Sequence, residues 1–191
     1  MKLIFASNSK KKSEEIKILL PPTVELLNLA DVNIIEDIPE TGETFKANAL
    51  IKAKYVFDKT GINCFADDSG LEVEALDMRP GVYSARYAGE EKNSDHNIDL
   101  LLKELRDKEN RNAQFHTVIA LLINGGTYFF EGIVRGSIIH ERKGNSGFGY
   151  DPIFVADGDN KTFAELSLEE KNQISHRAIA IRQLVTFLEK I

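Results

Sequence analysis

The stretch FHTVIALLINGGTYFFEGIVRGSII, Phe115 to Ile139, limits the fold more than any other part of this chain. Two strand-like runs flank Asn124-Gly125-Gly126, residue types that tolerate the positive φ of a tight hairpin turn. A long antiparallel pair is therefore expected here. Earlier in the chain, KLIFA and INCFA read as short buried strands. Between them Ile16, Leu19 and Leu20 mark one helix, and Phe45, Ala49, Leu50, Ala53 and Phe57 mark a face of a second after the turn residues PETGET. Ile98, Leu101, Leu102 and Leu105 recur at helical spacing behind Asn93 or Ser94 as cap, and Ser167 with Glu170 forms a capping box. Ser175 can cap a last helix with Ile181, Leu184, Val185 and Leu188 on its core face. Residues 82–92 fit no element clearly. Strand–helix units followed by a long hairpin predict an α/β fold, a mixed β-sheet with flanking helices.

A chain of 191 residues fits a single domain, 1–191, or one domain with a lobe, and can bury a sizeable core. Hydrophobic residues at 42% and charged residues at 28% give an ordinary globular balance. The net charge of -6 argues against a broad grip on nucleic acid, so any phosphate must be held by a few local cations and backbone N–H groups. Cys64 has no second cysteine to pair with, which fits a reducing compartment. The opening MKLIFAS turns polar too soon for a signal peptide, and the longest apolar run, VIALLI, is far short of a membrane span. The expectation is a cytoplasmic protein with neither membrane nor nucleic acid as partner.

Four stretches carry chemistry. CFADDSGLEVEAL sets Asp67 beside Asp68 after an apolar lead-in. Adjacent carboxylates repel unless a cation intervenes or the backbone sends them to opposite sides of a strand end. A metal site, a general base and a split pair all remain open, with Gly70 permitting a sharp turn. SNSKKKSEEI, Ser7 to Ile16, lies at a helix start, where N–H groups and the dipole favour an anion. Ser7, Asn8, Ser9 and the lysines suit a phosphate cradle, although Walker A spacing is absent; a solvated basic helix start would look the same. In GNSGFGYDPIF, glycines allow close backbone approach, Phe148 or Tyr150 can stack on a base, and Asp151 can accept from a ring N–H; the rings can equally fill a core. EEKNQISHRAIA brings Lys171, Ser175, His176 and Arg177 to a helix start, where cations oppose the dipole and suggest an anionic or oxo-bearing ligand. His176 lacks a second His or Cys at ligand spacing, which disfavours zinc. Acids for magnesium, a phosphate site and a base pocket together ask for a nucleotide.

In order, FASNSKKK, ETGETFKANALIKA, FADDSGLEVEAL, PGVYSARYAG, GFGYDPIF and KNQISHRA resemble the motifs of the inosine triphosphate pyrophosphatase family, essentially from end to end. The resemblance implies two lobes around a long central cleft, a homodimer, and magnesium-dependent hydrolysis of dITP, ITP and XTP or dXTP to the monophosphate and pyrophosphate. It assigns the triphosphate to Ser7, Asn8, Ser9, Lys10, Lys11 and Lys12. It makes Asp68 a magnesium ligand and the general base on water, Glu40 a second metal-linked acid, and Ser69 a substrate contact. Phe148, Gly149, Tyr150 and Asp151 become the base pocket, joined by Lys171, His176 and Arg177. Two positions depart from the pattern: Ser9 stands where the family usually has Asn, and Ala47 where it often has an acid.

On this view Lys171 and Arg177 aim donors at the 6-oxo group of hypoxanthine or xanthine, and adenine, with a donor there, leaves them unpaired. Two competing readings share part of the pattern. A pyrophosphatase for modified pyrimidine nucleotides would differ in its substrate panel, and a non-catalytic nucleotide sensor would show no magnesium-dependent turnover.

Overall fold

A computed structural model describes residues 1–191. Strands β1 (Lys2–Phe5), β2 (Glu25–Leu27), β3 (Cys64–Val73), β4 (Arg79–Pro80), β5 (Asn112–Ile123), β6 (Gly126–Ile138) and β7 (Phe154–Ala156) form a seven-stranded sheet. Their order is β2-β1-β3-β5-β6-β7, with β4 paired to β3. The helices are α1 (Lys10–Leu19), α2 (Phe45–Thr60), α3 (Ser94–Glu104), α4 (Leu168–Ile174) and α5 (His176–Leu188). β1 runs parallel to β2 and β3, whereas β4 and β7 are antiparallel to β3 and β6. The expected mixed sheet with helices is the one found. The hairpin turn consists of Asn124 and Gly125, at φ 51° and 77°, the left-handed pair that matches the twist of the flanking strands. None of the helices is long and apolar enough to cross a membrane.

The chain divides into two compact units. The first comprises Met1–Asp68, Thr117–Gly132 and Arg177–Ile191. Strand alternation builds two apolar layers in it. Leu3, Phe5, Phe65, Ile119, Leu121 and Ile123 pack with Ile16 of α1 and Ala180, Ile181, Leu184 and Leu188 of α5. The intervening residues Ile4, Cys64, Ala66, Ala120 and Leu122 pack with Ala49, Ala53 and Val56 of α2. With both strand faces covered, these strands read as nearly continuous apolar runs, VIALLI above all. Ser9 caps α1 by accepting the Lys12 N–H at 3.3 Å, and Thr44 caps α2 by accepting the Ala47 N–H at 3.1 Å. Leu50 and Phe57, expected on the core face of α2, are partly buried, and Asn48 and Lys52 join Phe45, Ala49, Ala53 and Val56 among its buried residues.

The second unit comprises Ser69–His116 and Ile133–His176. Its core gathers Leu71, Val73, Leu101, Phe115, Phe154 and Phe163, with the rings of Phe115 and Phe154 edge-to-face at 4.7 Å. Asn93 caps α3 and the Ser167–Glu170 capping box starts α4, both as the sequence predicts. Residues left open by the sequence hold a 3₁₀ helix, Gly81–Arg86. Ser175 lies between α4 and α5, and its N–H closes α4 on the Lys171 carbonyl at 2.8 Å.

One expectation is corrected. β3 does not end at the acid pair, and Gly70 makes no turn there: the strand continues through Ser69 and Gly70 to Val73. Both carboxylates are tolerated there because each has a cationic partner on its own face, Lys12 and Arg177 for Asp67 and Lys52 for Asp68.

Candidate active site

Successive residues of a strand project to opposite faces, so Asp67 falls on the side of Phe65 and Asp68 on the side of Ala66. The contacts agree. Asp67 accepts from Lys12 Nζ of α1 at 3.1 Å and from Arg177 Nε of α5 at 3.1 Å. Nη1 of the same guanidinium binds Glu15 of α1. Asp67 is 1% exposed and Arg177 2% exposed. Burial pushes the Asp67 carboxyl up, but Lys12, Arg177 and Lys52 outweigh it and hold the group well below the usual carboxylate range. Burial pulls the Lys12 ammonium down, and Arg177 and Lys52 add to that against Asp67, leaving it below its ordinary value. Two acids and two cations therefore close on one another beneath α1 and α5.

Asp68 has other company. Its Oδ2 accepts from Asn48 Nδ2 at 3.0 Å, while Asn48 Oδ1 accepts the Gly42 N–H at 2.7 Å. That second bond fixes which end of the amide faces the carboxylate. Lys52 Nζ lies 3.6 Å from Asp68 Oδ1 and 2.5 Å from Glu40 Oε1. Burial, helped by Glu40, raises the Asp68 carboxyl above its ordinary value despite the pull of Lys52. The Lys52 ammonium is itself held high: burial lowers it, and Asp68 and Glu40 more than compensate. Here two carboxylates share one ammonium. Magnesium is commonly held by one or two carboxylates, with substrate phosphates and water completing its shell, and Asp68 with Glu40 is a donor set of that kind. Nowhere does the chain gather three or more His, Cys, Asp or Glu side chains into a protein-only metal cage.

Ahead of α1, Ser7 Oγ accepts the Ser9 N–H at 3.2 Å, and Asn8 Nδ2 donates to Asp37 at 3.3 Å. Lys10 and Lys11 are exposed on the first turn, which carries no acid. An anion there would meet an uncompensated helix N-terminus and a concentration of lysines. Ser9, in place of the family's Asn, serves as the helix cap.

In the second unit, Gly147 and Gly149 take left-handed φ values of 74° and 59°, and a Cβ at Gly147 would come within 2.2 Å of Asp151 Oδ2. That oxygen accepts the Phe148 N–H at 2.8 Å and Lys171 Nζ at 2.6 Å. The Lys171 ammonium also sits 4.8 Å from the Phe148 ring centre. The structure thus brings Phe148, Gly149, Asp151 and Lys171 together. His176 is buried and stacks on Phe115 at 4.8 Å. Tyr150 is only 3% exposed and its hydroxyl donates to the Ser84 carbonyl at 2.8 Å, so Phe148 is the half-buried ring of the loop. Ser69 is half-buried, the residue after Asp68 on β3.

Glu15, Asn48, Lys52 and Ser84 were not singled out by the sequence. Asn48 and Lys52 had a signal: two polar residues four apart within the stripe Phe45, Ala49 and Ala53. Glu15 had none, since its partner Arg177 is 162 residues away.

The Ham1 family model matches residues 3–187. A dITP/XTP pyrophosphatase from Flavobacterium johnsoniae is 55% identical over 188 residues, covering 98% of each chain. Two solved structures are similar along the whole chain. The Staphylococcus aureus Ham1 protein has 42% identity and a TM-score of 0.91, with 100% of this chain and 99% of that one covered. A HAM1 protein from Coxiella burnetii has 40% identity and a TM-score of 0.92, with 100% of both covered.

Proposed function

The chain belongs to the Ham1 family, and on that premise we propose that it hydrolyses ITP, dITP, XTP and dXTP to the nucleoside monophosphate and pyrophosphate. Such an activity keeps these nucleotides out of DNA and RNA. The observation that carries the reading is the divided acid pair: Asp67 is neutralised in a buried ion-pair chain, and Asp68 shares a single ammonium with Glu40.

The triphosphate binds at the start of α1, where Ser7, Asn8, Ser9 and Lys10 to Lys12 supply backbone N–H groups, hydroxyls and charge. Asp68, its Oδ2 held by Asn48, takes the proton of the attacking water at its other oxygen. Burial and Glu40 raise this carboxyl above the ordinary aspartate range. Lys52 keeps a positive charge beside it. Asp68 and Glu40 are the residues that would hold magnesium, which when bound neutralises phosphate charge. Arg177 keeps Asp67 ionised and in place.

Selectivity rests on the loop at Phe148. Lys171, held by Asp151 beside the Phe148 ring, is the cation placed to donate to the 6-oxo group of the purine. Adenine presents a donor at that position, which opposes the Lys171 donor instead of accepting from it, a cost of about 1–3 kcal/mol. Pyrophosphate release from ITP, XTP, GTP and ATP with magnesium tests the proposal. Fast pyrophosphate from ITP and XTP, with little from ATP or GTP, is expected; orthophosphate as product, or no turnover, would overturn it. The working form is proposed to be a homodimer, as the motif resemblance implies. Light scattering at about twice the 21.4 kDa chain mass supports it, and a 21.4 kDa species counts against it.

A further inference from the structure

The PGVYSARYAG stretch has no part in the chemistry above, yet Ser84 within it is a meeting point of the second unit. Its Oγ accepts the Leu71 N–H at 2.9 Å and donates to the Gly81 carbonyl at 2.6 Å. Its own carbonyl accepts the Tyr150 hydroxyl at 2.8 Å and Asn97 Nδ2 at 3.4 Å. Asn97 Nδ2 also reaches the Ala85 carbonyl at 2.9 Å, and its Oδ1 accepts the Ala88 N–H at 2.7 Å. Ser84, Asn97 and Tyr150 are 7%, 4% and 3% exposed, so water is a poor substitute partner for any of these bonds. The network is also economical in kind: a hydroxyl, an amide and a phenol, with no charge whose desolvation would have to be repaid.

Ser84 thereby joins two segments that are far apart in the sequence. One is β3 at Leu71, two residues beyond Ser69. The other is the loop Gly147–Asp151, entered through Tyr150. That loop is held at its other side by Asp151, which binds both the Phe148 amide and Lys171. Two left-handed glycines flank Phe148, so the loop has little stiffness of its own. Backbone bonds tie its ends, Ser146 N–H to the Ala164 carbonyl and Ala164 N–H to the Asp151 carbonyl, and the Asp151 carboxylate and the Tyr150 phenol are its side-chain anchors.

We propose that Ser84, through the Tyr150 hydroxyl, is the positioning residue for purine recognition, holding the Phe148 ring and Lys171 at the spacing a purine requires. Tyr150 then acts from behind the pocket rather than stacking on the base, and Asn97 keeps the Ser84 carbonyl aimed at the phenol. This rests on the nucleotide pyrophosphatase reading above. Its consequence is a separation of parameters: loosening the anchor weakens base binding and discrimination, while the water attack at Asp68 proceeds at its usual rate once substrate saturates.

The test is Tyr150→Phe, which deletes one hydroxyl and keeps the ring in the core. For ITP the expected result is a KM raised about tenfold, the loss of one buried hydrogen bond, with kcat within about twofold. The ITP-to-ATP preference should narrow by a similar factor. Amide hydrogen exchange of residues 147–151 should quicken relative to wild type, with α2 and β1 unaltered. Tyr87→Phe is the control, since it removes a phenol hydroxyl of the same unit that is bonded to Glu104 outside the loop; its KM should stay at the wild-type value. A variant with wild-type KM, preference and loop exchange overturns the inference alone. A lowered melting temperature with unchanged KM also overturns it, by making the bond merely structural. Wild-type protein inactive on every nucleotide overturns the pyrophosphatase reading, and the recognition role with it.

Discussion

Two carboxylates one residue apart on β3 live in regions that treat charge in opposite ways. On the α1 and α5 side, Asp67 and Glu15 face Lys12 and Arg177, two acids against two cations, with Asp67 and Arg177 almost fully buried. On the α2 side, Asp68 and Glu40 share Lys52. In the first arrangement acids and cations are matched within a buried cluster. The second sets two carboxylates around the Lys52 ammonium, with the Asp68 carboxyl raised by burial, a setting suited to binding a cation and moving a proton. The pleat lets one strand serve both ends, because it turns the two carboxylates toward different helices and gives each its own directly bonded cation.

The comparison can be broken most forcefully at Asp68. Asp68→Asn should lower kcat for ITP by about 10²–10⁴, the range of a lost general base, and leave the melting temperature close to wild type. Arg177→Met attacks the closed side: it leaves Asp67 and Glu15 buried with one cation between them, and should cost about 3–5 kcal/mol in urea denaturation. A loss below about 1 kcal/mol would mean that the ion-pair chain is not what stabilises this face. Glu40→Gln sharpens the open side. The magnesium concentration for half-maximal turnover should rise about 10- to 100-fold, and an unaltered magnesium titration would remove Glu40 from the metal. The smallest effect is expected at the edge of the closed side, where Ser9→Ala should cost about 1 kcal/mol of stability through the lost cap, while Ser9→Asn should retain it.

Much of this was legible in the residues. The hairpin at Asn124-Gly125, the caps at Asn93 and Ser167, and the opposed directions of Asp67 and Asp68 follow from turn chemistry and period-two alternation. The length of β3 was not, because Asp-Asp-Ser-Gly has the composition of a turn, and the cations that meet the two acids on the faces of a continuing strand come from distant parts of the chain. β2, β4 and β7 have three, two and three residues, too short for any periodicity to register. Tyr150 illustrates the general difficulty. A Gly-flanked aromatic suits a base pocket and a core equally well in sequence, and what decides is a carbonyl at Ser84, 66 positions away. Lys171, His176 and Arg177 lie within seven residues, yet Lys171 binds Asp151, His176 stacks on Phe115, and Arg177 binds Asp67. Lys171 stands in the last turn of α4 and the other two open α5, a break at Ser175 that spacing alone does not reveal.

The most direct measurement sets Asp67→Asn beside Asp68→Asn, reading kcat for ITP and the melting temperature of each. A crossed result is expected: Asp68→Asn keeps its melting temperature and loses turnover, whereas Asp67→Asn loses melting temperature, with Arg177 and Lys12 left short of a counter-charge, and keeps the larger share of its kcat. Two variants that lose turnover and stability in equal measure would contradict the division of labour across the strand.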